Sequence, residues 1–179
     1  MSDTQWPRYM VFQQTKPGNP FMHNGTVHAP DAEIALLNAR DVFARRPQAH
    51  AMWVVLNDHI FTKTHEQIVE SAWDDASLSG GDEVNYCIFG KSTQQGQLEQ
   101  LGSQAGTSAQ SALRDFIEAY SGKNIWFWWS FPASAVTSTE ENEADSFFRP
   151  FEEHAFKDQA HYPVLTMMRE IKAKGKQEG

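Results

Sequence analysis

Tyr9-Met-Val-Phe-Gln-Gln-Thr15 is followed by Lys16-Pro-Gly-Asn-Pro20, by an extended stretch from Phe21 to His28, by a helical stripe and by Met52-Trp-Val-Val-Leu56. The first stretch is short and β-rich. Pro, Gly and Asn then supply turn chemistry, and the second stretch returns, so residues 9–28 predict a hairpin. Pro30 suits a first helical turn, Asp31 and Glu33 put negative charge at the helix start, and Arg45, Arg46 and Pro47 mark its end. Ala32, Ala35, Leu36, Ala39, Val42 and Phe43 fall on one stripe at helical spacing. Small side chains on that stripe let the helix lie close to a sheet. Met52 to Leu56 completes a strand–strand–helix–strand unit.

The same plan recurs 77 positions on. Tyr9 meets Tyr86, Phe12 meets Phe89, Gly25 meets Gly102, Ala32 meets Ala109, Ala35 meets Ala112 and Leu36 meets Leu113. Average residue usage would give roughly one or two such identities over this span. After a short deletion, Met52-Trp53 is aligned with Ile125-Trp126. Thr107 with Gln110 predicts a capping box for the second helix, and Gly122 its C-terminal stop. The fold class is therefore α+β: two tandem units packed as a pseudo-dimer, because each unit alone is too small to bury a comfortable core. The expected organisation is a first unit over residues 1–64, a linker over 65–83 with a flexible break at Ser79-Gly80-Gly81, a degenerate second unit over 84–139, and an acidic linker and C-terminal arm over 140–179. The polar run Thr137 to Asp145 predicts a mobile stretch. Phe147, Phe148, Phe151, Phe156 and Tyr162 predict an arm that docks on something.

Composition narrows the function. Of 179 residues 40% are hydrophobic, with six Trp and twelve Phe, enough for a core. A net charge of −8 argues against nucleic acid, which needs a concentrated basic surface. The richest apolar run, Ile125 to Phe131, is far short of the roughly 20 residues of a membrane span. One Cys forms no internal disulfide, which suits a reducing, cytoplasmic home. Cys87, opposite Met10 in the repeat, reads as a small buried apolar residue.

Motifs for catalysis are missing from the sequence. A carboxylate-bridged diiron centre needs Glu-x-x-His pairs; the nearest match is a single Asp158-x-x-His161. No Gly-x-Ser-x-Gly elbow and no Gly-Lys-Ser/Thr phosphate loop occurs. His23 and His28, five apart, fall on opposite faces of a regular strand and share a metal only across a bulge. No catalytic residue, cofactor or metal is expected. Trp126, Trp128 and Trp129 read as a strand buried on both faces rather than a ligand platform.

The motif string Trp6-Pro7-x-Tyr9-x-Val11-Phe12, His23-x-Gly25-Thr26-Val27-His28-Ala29, Asp31, Ala35-Leu36-x-Asn38-Ala39-Arg40-Asp41, Arg45-Arg46 and Met52-Trp53-Val54-Val55 resembles the phenylacetic acid degradation B family. That family is the small subunit of a multicomponent phenylacetyl-CoA ring oxygenase. Phe147-Phe148-x-Pro150 and Tyr162-Pro163 are more weakly similar to its C-terminal end. The resemblance implies an accessory subunit, without its own active site, that bridges the diiron catalytic subunits of the complex. It implies partner-binding roles for Trp6, Pro7, Tyr9, His23, His28, Asn38, Arg40, Arg45 and Arg46. The chain is about twice the family's usual length, and the second unit carries Gln100, Ala105, Asp115 and Ile117 where the first has His23, His28, Asn38 and Arg40. Bland readings stand beside these roles: Arg40, Arg45 and Arg46 as helix-end charges, Trp6 as a lid on the core. Two rival functions remain, a His-based metal protein and a module whose two-unit cleft binds a small molecule such as an acyl-CoA.

Overall fold

A computed structural model of the chain describes residues 5–44, 49–70, 73, 82–139 and 147–148. The first hairpin pairs β1 (Arg8–Gln14) with β2 (Met22–His28). Its turn closes where Asn19 N donates to the Lys16 carbonyl at 3.1 Å, with Gly18 at φ 81°. That is the type II pattern, in which Pro suits the first central position and Gly the second. Helix α1 (Ala32–Phe43) starts at Asp31, whose carboxylate accepts from Ile34 N at 2.8 Å. Pro30 therefore sits one residue before the cap, not inside the first turn as expected. Strand β3 (Ala51–Leu56) pairs with β1, a 3-10 turn follows, and β4 (Phe61–Thr64) leads into the short helix α2 (His65–Val69). Helix α2 opens on a capping box between Thr64 and Gln67 and occupies the start of the expected linker.

The second half repeats the order: β5 (Val84–Lys91), β6 (Glu99–Gly106), α3 (Ala109–Ala119), β7 (Phe127–Pro132), a 3-10 turn and β8 (Thr137–Ser138). Every β1–β2 pair has its β5–β6 counterpart 77 positions on, from Arg8 with His28 (Asn85 with Ala105) to Gln13 with Met22 (Gly90 with Glu99). Even the bulges correspond. Asn24 is the extra residue in β2 and Leu101 the extra residue in β6. Three expectations for this half are corrected. Trp53 lies opposite Phe12 and Trp129 opposite Phe89, so Trp53 corresponds to Trp129, and Ile125-Trp126 precedes the strand. The α3 box is Ser108 with Ser111, because Ser111 N donates to Ser108 Oγ and Ser111 Oγ accepts from Ser108 N, each at 3.0 Å. The helix ends at Tyr120 in extended conformation, before Gly122.

All eight strands form one antiparallel sheet in the order β4-β7-β5-β6-β2-β1-β3-β8. Exchange the two halves and the order reads the same from the other edge. The halves meet at β2–β6, where Met22 pairs with its own counterpart Glu99, flanked by His23 N to Leu98 O and Gln100 N to Phe21 O, both 2.9 Å. The edge strands are exchanged. Strand β4 closes the first unit yet pairs with β7 of the second, and β8 closes the second unit yet pairs with β3 of the first. Thr137 and Ser138, expected to be mobile, are thus held in the sheet.

Three apolar clusters result. Helix α1 covers Tyr9, Val11, Val27, Met52 and Val54 with Ala35 and Ala39, both fully buried. Helix α3 covers Tyr86, Ile88 and Trp128 with Ala112 and Leu113. Val42, assigned to the first stripe by spacing, faces solvent instead. The third cluster lies on the helix-free face and draws on both halves: Phe12, Phe21, Val55, Cys87, Phe89, Leu98 and Phe131. In a flat sheet, β1 and β7 would lie about 19 Å apart, four strand spacings. The Phe12 and Phe131 rings are 5.4 Å apart, so the sheet curls and closes its halves on each other. At the centre Phe12 meets its counterpart Phe89 at 4.6 Å. Among the described residues no helix is long and apolar enough to cross a membrane.

Candidate functional site

Two clefts flank the β2–β6 seam, built from corresponding residues. One, of about 240 Å³, is lined by Gln14, Phe21, Ala51 and Trp53, with Ser138 of β8 beside them. There Phe21 lies flat on Trp53, ring centroids 3.6 Å apart at 18°. The other, of about 450 Å³, is lined by Lys91, Leu98, Phe127 and Trp129, with His23 and Gln97 at its wall. These are the counterparts of Gln14, Phe21, Ala51 and Trp53. Leu98 stands where the first cleft has Phe21, so no ring from that position covers the indole. Among the described residues Trp129 meets Phe12, His23 and Phe127 edge-on, at 6.2, 4.9 and 6.2 Å.

His23 reaches this cleft from β2 because the Asn24 bulge resets the strand's alternation. His23 pairs with Phe12 and His28 with Arg8, so both histidines lie on one face, contrary to the odd-spacing expectation. They remain separate in use. His23 packs among Phe12 and Trp129, and its Nε2 is buried without a hydrogen-bond partner among the described residues, as is Trp129 Nε1. Burial lowers the His23 pKa, a hydrogen bond with the Gly25 backbone opposes this, and the nearby Lys91 charge lowers it further. His23 therefore stays neutral near pH 7, leaving Lys91 as the cleft's cation. No carboxylate of the described residues lies within ion-pair distance of Lys91. No group of three or more His, Cys, Asp or Glu side chains among the described residues could hold a metal ion.

The other motif residues form a second site at the far end of the β1–β2 hairpin. His28 Nδ1 lies 2.9 Å from the Trp6 carbonyl, and Ala29 N donates to the Pro7 carbonyl at 3.2 Å. Asn38 of α1 donates to the His28 carbonyl at 3.4 Å. His28 and Asn38 thus hold the segment before β1, and Trp6 on it is 59% exposed, so it is not a lid on the core. Tyr9 is buried under α1 and offers no free surface. Arg40 pairs with Asp41 at 3.2 Å and stands 5.0 Å over the Phe147 ring. Phe147 and Phe148, the start of the aromatic arm, pack on the first unit's own helix layer. Arg45 and Arg46, Ser79-Gly80-Gly81, residues 140–146 and the arm from 149 onward lie outside the described residues.

Lys91, Leu98 and Trp129 escape a motif search, since they lie outside the resemblance. The signal was present in the repeat, as the Gln14-to-Lys91 and Phe21-to-Leu98 replacements. It surfaces once the deletion before the last strand is set to one residue, which brings Trp53 onto Trp129.

Together these placements define a small α+β protein of two corresponding strand–strand–helix–strand units, with an exposed tryptophan pinned by its motif neighbours. A family model described as phenylacetic acid degradation B matches residues 5–76. A curated relative from Escherichia coli (strain K12), one of the subunits of 1,2-phenylacetyl-CoA epoxidase, is 40% identical over 67 residues, covering 37% of this chain and 70% of that protein. The chain belongs to the phenylacetic acid degradation B family. No solved structure matches it.

Proposed function

We propose that the chain is a non-catalytic bridging subunit of a multicomponent phenylacetyl-CoA ring oxygenase, acting in aerobic phenylacetate degradation, and that its partners are the diiron catalytic subunits of the same complex. The observation that carries this reading is Trp6: 59% exposed, yet fixed through His28 and Asn38 within the segment that matches the epoxidase relative. A large exposed aromatic on a backbone already held in place orders less chain on binding and suits an interface anchor. The outer face of α1 adds support. It exposes Ile34, Leu37 and Val42, where the positions 77 further on hold Ser111, Arg114 and Ala119. The sequence also lacks any Glu-x-x-His pair for the oxygen chemistry.

The same reading takes the chain as an internal pair, with the units over residues 1–64 and 84–139 standing in for two copies of a single-unit subunit. The palindromic strand order and the pairing of Met22 with Glu99 support it. The test is recovery of the tagged chain from its native cells grown on phenylacetate, read by mass spectrometry. Ferritin-like oxygenase subunits should come down with it, and Trp6→Ala should reduce their recovery about tenfold or more. Recovery of the wild-type chain alone, in cells that express those subunits, overturns the reading.

A further inference from the structure

The two clefts beside the seam are the same construction in two states, one filled and one open. In the first, the Phe21 ring occupies the face of Trp53 at stacking distance. In the second, Leu98 replaces that ring, the cleft widens from about 240 to about 450 Å³, and Trp129 has no parallel ring on it among the described residues. The chain's own side chain thus shows what the shape accepts, a phenyl group lying flat on an indole, an arrangement worth about 0.5–1.5 kcal/mol beyond burial. Two further differences accompany it: Phe127 stands where the first cleft has Ala51, its ring edge-on to Trp129 at 6.2 Å, and neutral Gln14 is replaced by Lys91 in the lining. An ammonium at the mouth of an apolar slot selects an anionic group attached to the ring. The size fits as well: small-ligand clefts run from about 300 to about 1,000 Å³.

We propose that the Lys91–Leu98–Trp129 cleft is a binding site for a small aryl carboxylate, its ring on Trp129 where Phe21 lies in the other cleft and its carboxylate at Lys91. The site is separate from the Trp6 surface, so it stands or falls independently of the bridging role. It places a ligand at the seam between the halves, where occupancy would brace β6 and β7 against β2.

The test uses the full chain and two-dimensional NMR of the six indole N–H groups, with the Trp129 signal identified by its loss in Trp129→Phe. Phenylacetate should shift the Trp129 signal saturably. Cyclohexylacetate, equally charged but without a flat face, and benzyl alcohol, flat but uncharged, should each bind about tenfold more weakly or less. Leu98→Phe, which rebuilds the filled cleft with the residue type its counterpart already carries, should abolish the shift. Lys91→Gln should weaken phenylacetate about tenfold and leave benzyl alcohol unchanged. No saturable shift with phenylacetate, equal binding of cyclohexylacetate, or undiminished binding by Leu98→Phe would each overturn the proposal.

Discussion

Gly25 and Gly102 occupy corresponding positions next to the bulges, but they are not equally constrained. Gly25 has φ +149°, and an added Cβ would lie 2.8 Å from the Phe43 ring. Gly102 has no such φ, and its Cβ would meet Phe116 at 3.0 Å. The covering rings come from different turns of the two helices, since the residue 77 after Phe43 is Tyr120. Gly25→Ala therefore combines backbone strain with a clash and should cost about 1–3 kcal/mol. Gly102→Ala, with a clash alone, should cost less, and urea midpoints for the two variants measure the difference. His23 gives a pH signature. Its folded pKa is lowered, so the unfolded chain takes up a proton first as the solution is acidified. Stability should be full above the ordinary histidine value and decline as pH falls below it toward the lowered folded value. His23→Gln, which installs the residue found at position 100, should flatten that decline in denaturation midpoints. Burial raises the Cys87 pKa, in keeping with its place beside Phe89 and Phe131 in the shared cluster.

At the scale of elements, the sequence carried the strands and helices because each has a local cause. Turn residues set the first hairpin, β-rich composition marks β1 and its repeat β5, and Ala-rich spacing sets α1. Helix α2 was missed although Thr64 and Gln67 carry its capping box, whereas the missed strands had no local cause. Strands β4 and β8, of four and two residues, have nothing in their own sequence that requires a strand; they exist because a distant strand offers them an edge. The candidate site divides the same way. Trp6, His28 and Asn38 were legible as a linear motif, whereas the open cleft is assembled from β2, β5, the turn before β6 and β7, so no single stretch of sequence carries it. The cap of α3 shows how a near miss arises: Thr107 and Ser108 are adjacent capping residues, and the hydroxyl of Ser111, not the amide of Gln110, completes the box. Ser108→Ala should cost about 1 kcal/mol, with Thr107→Ala well below that, by thermal unfolding.

At the scale of the whole molecule, the shared cluster and the exchanged edges bind the halves together. Phe12 and Phe21 of one half pack with Phe89, Leu98 and Phe131 of the other, and neither half completes its own sheet. The described body should therefore unfold in one transition, with backbone circular dichroism and tryptophan fluorescence giving coincident curves. Two separated transitions would mean that the halves are independent domains joined by contact alone.

The exchanged edges also bear on synthesis at the ribosome. Lys63 pairs with Trp128, so the strand that closes the first unit waits for a partner made 65 residues later. At roughly 5–20 residues per second that is a delay of about 3–13 s. Until the second half follows, the nascent first unit bears Phe12, Phe21 and Val55 on a face whose cover is incomplete, Phe131 being the last of its partners to be made. The emerging chain is then a client for chaperones that hold unfinished sheets, and slowing translation across residues 65–127 should lengthen its association with them.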